Sequence, residues 1–121
     1  KMTDYTYETV LSGMLQSSQD SSGFVWNDFE IKVASKTGTP QTTTKTVNST
    51  FICFAPADDP QIAVLVMLDE PVGGAYYGGT IAAPVVGHIM NDVLRYLNVE
   101  PRLSVEETKN VDINVPDVVG K

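Results

Sequence analysis

The stretch Val33-Ala-Ser-Lys36-Thr-Gly-Thr39-Pro-Gln41 decides how this sequence is read. Residues Glu30 to Thr39 have the texture of a strand: Ile31, Val33 and Ser35 alternate with Lys32, Ala34 and Lys36. By the two-residue period of a strand, Lys36 and Gly38 share one face and Thr37 and Thr39 the other. Such a strand end is chemically unusual. Lys36 is a compact positive charge suited to an anion or to polarising a hydroxyl. Thr37 and Thr39 bring hydroxyl donors, and Gly38, lacking a side chain, lets another backbone come close. An outer strand edge with free N–H and C=O groups can accept an extended peptide as an added strand.

Two more strands follow. Ser49 to Ala55 and Gln61 to Leu68 are β-rich, and the turn Pro56-Ala-Asp-Asp-Pro60 between them is short enough to make them antiparallel partners. The run Gln61 to Leu68 is apolar on both faces, which predicts a central strand covered on both sides. Before the first strand, Asp4 to Gln16 is expected to be a helix capped by Asp4, with Tyr7, Leu11 and Met14 on its apolar side, ended by the polar loop Ser17 to Gly23. After the third strand, the glycine-rich Val72 to Thr80 leads into a helix that starts between Thr80 and Pro84 and runs to about Leu97. Ile81, Val85, Ile89, Val93 and Leu97 are its expected apolar stripe, and Pro84 fits the first turn. Helix, three strands and helix make an α+β fold: an antiparallel sheet flanked by helices.

Composition narrows the function. The chain has 121 residues, enough for one modest core, with 42% hydrophobic and 19% charged residues, a globular mix. The formal charge is −7, without clustered Lys or Arg, which excludes a general nucleic-acid binder. The longest apolar stretch, Ile62 to Leu68, is too short to span a bilayer. Cys53 is the single cysteine and forms no internal disulfide. It is expected to be a small buried strand residue, and His88 a helix-face residue making one hydrogen bond. Trp26 and Phe29 are expected in the core or at a domain contact. Tyr76 and Tyr77 are expected to pack under the glycine-rich loop, with a place on an active-site rim as the alternative.

Lys36-Thr37-Gly38-Thr39 matches one signature of penicillin-binding proteins and serine β-lactamases. The later stretch Tyr76-Tyr-Gly-Gly-Thr-Ile-Ala-Ala-Pro84, with the helix end Leu94-Arg-Tyr-Leu97 and Pro101, resembles the end of a class B penicillin-binding transpeptidase domain. The resemblance divides the chain into the C-terminal part of that domain (1–101), a linker (102–114) and the truncated start of a PASTA-like domain (115–121), on the sequence Val115-Pro-Asp-Val-Val-Gly-Lys121. A PASTA domain follows the transpeptidase in some Gram-positive members.

What the resemblance implies is a D,D-transpeptidase that cross-links peptidoglycan stem peptides ending in D-Ala-D-Ala and is acylated by β-lactams. The Thr37 and Thr39 hydroxyls would hold the terminal carboxylate. The Thr39 N–H would be one oxyanion-hole donor. Lys36 would help the serine of a Ser-x-Asn motif move a proton. It implies no cofactor and no metal. It also implies a parent protein anchored by an N-terminal membrane helix, with its catalytic domain outside the cytoplasmic membrane and with the cell-wall machinery of division or sporulation as partners. Yet no serine here is followed by Lys three residues later, and no Ser-x-Asn occurs. Tyr96-Leu97-Asn98 spells a variant of the second motif but comes after Lys-Thr-Gly, out of order. The nucleophile, its lysine and the second oxyanion donor are therefore expected in an N-terminal part of the domain, upstream of Lys1. The chain alone is expected to be inert and only marginally stable. The alternative is a non-catalytic penicillin-binding-like module for cell-wall or protein binding. A serine β-lactamase or carboxypeptidase is a third reading, disfavoured by the PASTA-like tail.

Overall fold

The computed structural model describes residues 1–20, 25–26 and 29–100. The linker and PASTA-like readings lie outside the described residues. The elements run α1 (Asp4–Asp20), β1 (Ala34–Gly38), β2 (Asn48–Ala55), β3 (Ile62–Asp69), α2 (Gly78–Ile81) and α3 (Ala83–Tyr96). The sheet has the order β1-β2-β3 and is antiparallel throughout, as expected for an α+β fold.

The helix at the N-terminus differs from expectation at both ends. Its cap is Thr3, whose Oγ1 accepts from Thr6 N at 3.2 Å, leaving Asp4 inside the first turn. It also runs one turn past Gln16. Ser17 and Ser18 favour caps and loops, but here tertiary contacts outweigh that preference. The Ser18 hydroxyl lies 3.3 Å from Met14 O and donates to Ser35 Oγ at 2.7 Å, and both serines are buried. That bond ties the end of α1 to β1.

The first strand is shorter than the predicted 30–39. It begins at Ala34, and Lys32 is instead paired outside the sheet, accepting from Ala57 N at 2.9 Å. It ends at Gly38 because Pro40 has no N–H for the ladder, and pairing resumes only in the isolated Gln41–Val47 bridge.

Alternation along the sheet fixes two faces. Ser49, Phe51, Cys53 and Ala55 of β2 are buried, and register aligns them with Leu68, Val66, Val64 and Ile62 of β3. Val86, Met90 and Leu94 of α3 close over this face, and Trp26 packs edge-on to Phe29 with ring centroids 5.0 Å apart. Trp26 and Phe29 are thus core residues. The opposite face carries Ile52, Leu65 and Met67, all well exposed. The expectation that β3 is central and covered on both sides is therefore corrected among the described residues: β3 pairs with β2 alone, and α3 covers one side of it. A continuous apolar run does not reveal which of its faces a neighbour will cover.

The last helix is two helices. An unbroken helix would need an N–H at Pro84 for the carbonyl of Thr80; proline has none, so the turn at Ala82 separates α2 from α3. The buried stripe is also rotated. Ala83, Val86, Gly87, Met90 and Leu94 face the sheet, while the expected Val85, Ile89 and Leu97 are exposed. Both stripes are apolar. The sheet takes the one rich in small residues, which lets the backbones approach closely.

Cys53 lies in the core as expected, fully buried, and burial pushes its thiol from the ordinary 9.0 to about 12. Because the folded value is the raised one, the folded thiol keeps a proton that the unfolded chain loses between pH 9 and 12. The associated stability is intact below pH 9 and falls by about 1.4 kcal/mol per pH unit across that window. Urea midpoints of the protein and of Cys53→Ala should therefore converge as pH rises from 9 towards 11. Parallel midpoints would refute the shift.

Candidate active site

The Lys36-to-Thr39 segment lies at the exposed end of an edge strand. Among the described residues, β1 pairs with β2 alone. Lys36 aligns with Ile52 and, across β2, with Leu65; Gly38 aligns with Thr50 and Met67. Lys36 is therefore on the uncovered face. It is exposed, and its Nζ donates to Thr37 O at 2.7 Å. Thr37 aligns with Phe51, on the α3 side, and is half-buried. Thr39 stands just past the strand, half-buried, where Gly78 N donates to its Oγ1 at 3.3 Å.

The structure thus brings Gly38 and Thr39 against Gly78, near the end of the glycine-rich stretch, and sends Lys36 and Thr37 to opposite faces. Gly78 was legible only as one of several glycines before a helix. Its particular role appears in three dimensions: a Cβ here would overlap the Thr50 carbonyl oxygen and approach the Gly38 carbonyl oxygen to 2.7 Å. Nearby, the buried Ser49 hydroxyl donates to Tyr76 O, pinning the loop onto β2. Gly73 and Gly74 adopt φ of 111° and 107°, values side chains rarely tolerate, and this turns the chain back towards β1.

Tyr76 and Tyr77 do not pack beneath the loop. They are exposed and stack on one another with centroids 4.5 Å apart and hydroxyls 3.2 Å apart. The hydrogen bond to Tyr77 and the proximity of that second phenol raise the pKa of Tyr76. On the other side, the loop after Thr39 is laced by hydroxyls. Thr42 and Thr46 Oγ1 atoms are 2.5 Å apart, and Thr46 donates to Glu70 Oε1 at 2.7 Å, which ties this loop to the end of β3.

His88 is exposed on the outer side of α3, and no group of three or more His, Cys, Asp or Glu converges as metal ligands among the described residues. No described helix is long and apolar enough to cross a membrane.

Residues 1–91 match the family model described as the penicillin binding protein transpeptidase domain. The chain belongs to this family. Stage V sporulation protein D of Bacillus subtilis is 51% identical over 75 residues, covering 58% of this chain and 12% of that protein. The probable peptidoglycan D,D-transpeptidase PenA of Neisseria flavescens is 39% identical over 90 residues, covering 67% of this chain and 22% of its own length. Among solved structures, the apo transpeptidase domain of Burkholderia pseudomallei penicillin-binding protein 3 superposes with a TM-score of 0.60 at 33% identity, over 77% of this chain and 30% of that one. The chain therefore spans less than a quarter of the length of these two relatives and under a third of the solved domain.

Proposed function

We propose that this chain is the C-terminal portion of a serine D,D-transpeptidase that cross-links peptidoglycan stem peptides and is acylated by β-lactams. It contributes the Lys36–Thr39 wall of the site and not the nucleophile. The observation that carries the reading is that Lys36, Thr37 and Gly38 end a strand that, among the described residues, pairs on one side only, with Thr39 just beyond it, in a chain of the transpeptidase family. An extended peptide ending in D-Ala-D-Ala adds along that edge. The Thr37 and Thr39 hydroxyls hold its carboxylate, and the Thr39 N–H stabilises the tetrahedral oxyanion. Lys36 assists proton transfer through a hydroxyl supplied from upstream.

In the reaction a serine oxygen attacks the D-Ala-D-Ala carbonyl. The terminal D-Ala departs with a proton, and the amine of a second stem peptide takes the acyl group and regenerates the serine. The bare apolar face of Ile52, Leu65 and Met67, on the same side as Lys36, supports an upstream half of the domain packing there. The whole protein, by this reading, is membrane-anchored, works outside the cytoplasmic membrane in division or sporulation, and continues through a linker (102–114) into a PASTA-like domain from residue 115.

Fluorescent penicillin tests the reading. Cells producing the protein are labelled, and a denaturing gel is probed with an antibody to this chain. Label is expected on an antibody-positive band larger than 13.1 kDa, or on a separate fragment that co-purifies with the chain. Label on a 13.1 kDa band carrying this sequence alone would overturn the assignment of the nucleophile. Absence of label on any associated band would favour the non-catalytic module.

A further inference from the structure

We propose that Gly78 is a positioning residue that makes the Thr39 hydroxyl a hydrogen-bond donor. This rests on the reading above, in which Thr39 binds the substrate carboxylate. A threonine hydroxyl has one proton and two acceptor lone pairs. A carboxylate only accepts, so Thr39 binds it only by giving up its proton. Gly78 N–H occupies the acceptor side of Thr39 Oγ1 at 3.3 Å, which turns the O–H away from Gly78 and leaves it to an incoming anion.

The bond exists because residue 78 has no side chain. Its Cα lies against two main-chain carbonyls, Thr50 O and Gly38 O, one from each of the two strands at the site. Neither can rotate aside as a side chain would. Gly78 is buried, and Ser49 Oγ holds the carbonyl of Tyr76 two residues earlier, so the segment is held where it enters α2. Gly38 faces a lesser obstruction, the Thr50 side chain, and needs its glycine less strictly.

The test is the second-order rate of acylation by fluorescent penicillin, which carries a carboxylate, in the intact transpeptidase domain. Gly78→Ala should lower that rate about tenfold, the value of one hydrogen bond to a charged group. Thr39→Val should lower it at least as much, and Thr39→Ser should restore most of it. In the Thr39→Val background, Gly78→Ala should cost less than threefold more, because its target is gone. Equal cost of Gly78→Ala in both backgrounds would overturn the proposal and leave Gly78 a packing residue. Should Gly78→Ala not fold, Ser49→Ala releases the same segment without a clash. Its cost must likewise vanish when Thr39 is Val, and persistence of that cost would refute the idea. A wild-type domain that is never acylated would instead refute the transpeptidase reading, and this inference with it.

Discussion

Lys36→Ala is expected to slow acylation of the intact domain by penicillin about 10²- to 10⁴-fold, the range of a lost proton-transfer partner. It should do so with almost no change in folding stability. Lys36 is exposed, and among the described residues its Nζ donates to the carbonyl of its own neighbour, Thr37. Surface changes of that kind ordinarily alter stability by less than about 0.5 kcal/mol. Lys36→Arg should recover little, since a planar guanidinium does not replace a compact ammonium that must meet one hydroxyl. Stopped-flow labelling and a thermal melt on the same preparations decide it. A rate within threefold of wild type would remove Lys36 from the catalytic machinery, and a large fall in melting temperature would recast it as structural.

Phe51→Ala should cost about 3–5 kcal/mol, the usual range for emptying a buried phenylalanine site. Phe51 is fully buried, lies between Thr37 and Val66 in the sheet register, and meets Trp26 with ring centroids 6.1 Å apart. A loss of that size consumes much of the stability of an ordinary domain. Because Thr37 aligns with Phe51, the cavity would also loosen the strand that carries the site. The control is one residue away. Ile52, on the opposite face, is 41% exposed, so Ile52→Ala should cost far less in this chain by itself. Urea midpoints compare the two. Equal losses would mean that the sheet face holding Lys36 is as buried as the core.

The same pair of residues shows what a sequence can and cannot specify. The β-rich run Ser49 to Ala55 announced a strand, and the two prolines around Asp58 and Asp59 announced a tight antiparallel connection. Those signals are local, and they held. Burial of one face over the other is not local. In Ile62 to Leu68 every position is apolar, so period two carried no information, and the placement of α3 alone decided that Val64 and Val66 are covered while Leu65 is not. The same ambiguity rotated the buried stripe of α3 by about one residue, because Val85 and Val86 are chemically equivalent until a sheet selects between them. Ser17 and Ser18 read as a helix end because serine favours caps and loops, and tertiary contacts, among them the buried bond from Ser18 to Ser35, outweighed that local preference.

For the site, the residue types were legible and the partnerships were not. Lys36-Thr37-Gly38-Thr39 stands out because a strand end rarely combines a cation, two hydroxyls and a glycine. Gly78 lies 39 residues from Thr39 in sequence, and no local pattern connects them. The sequence by itself determined the strand and helix segments to within their ends, the antiparallel pairing of β2 with β3 and the chemical character of Lys36 to Thr39, since propensity, turn chemistry and residue type act over a few neighbouring positions. The tertiary structure alone decided which faces are covered and that Gly78 meets Thr39, since close approach of distant backbones depends on the packing of the whole sheet and its helix.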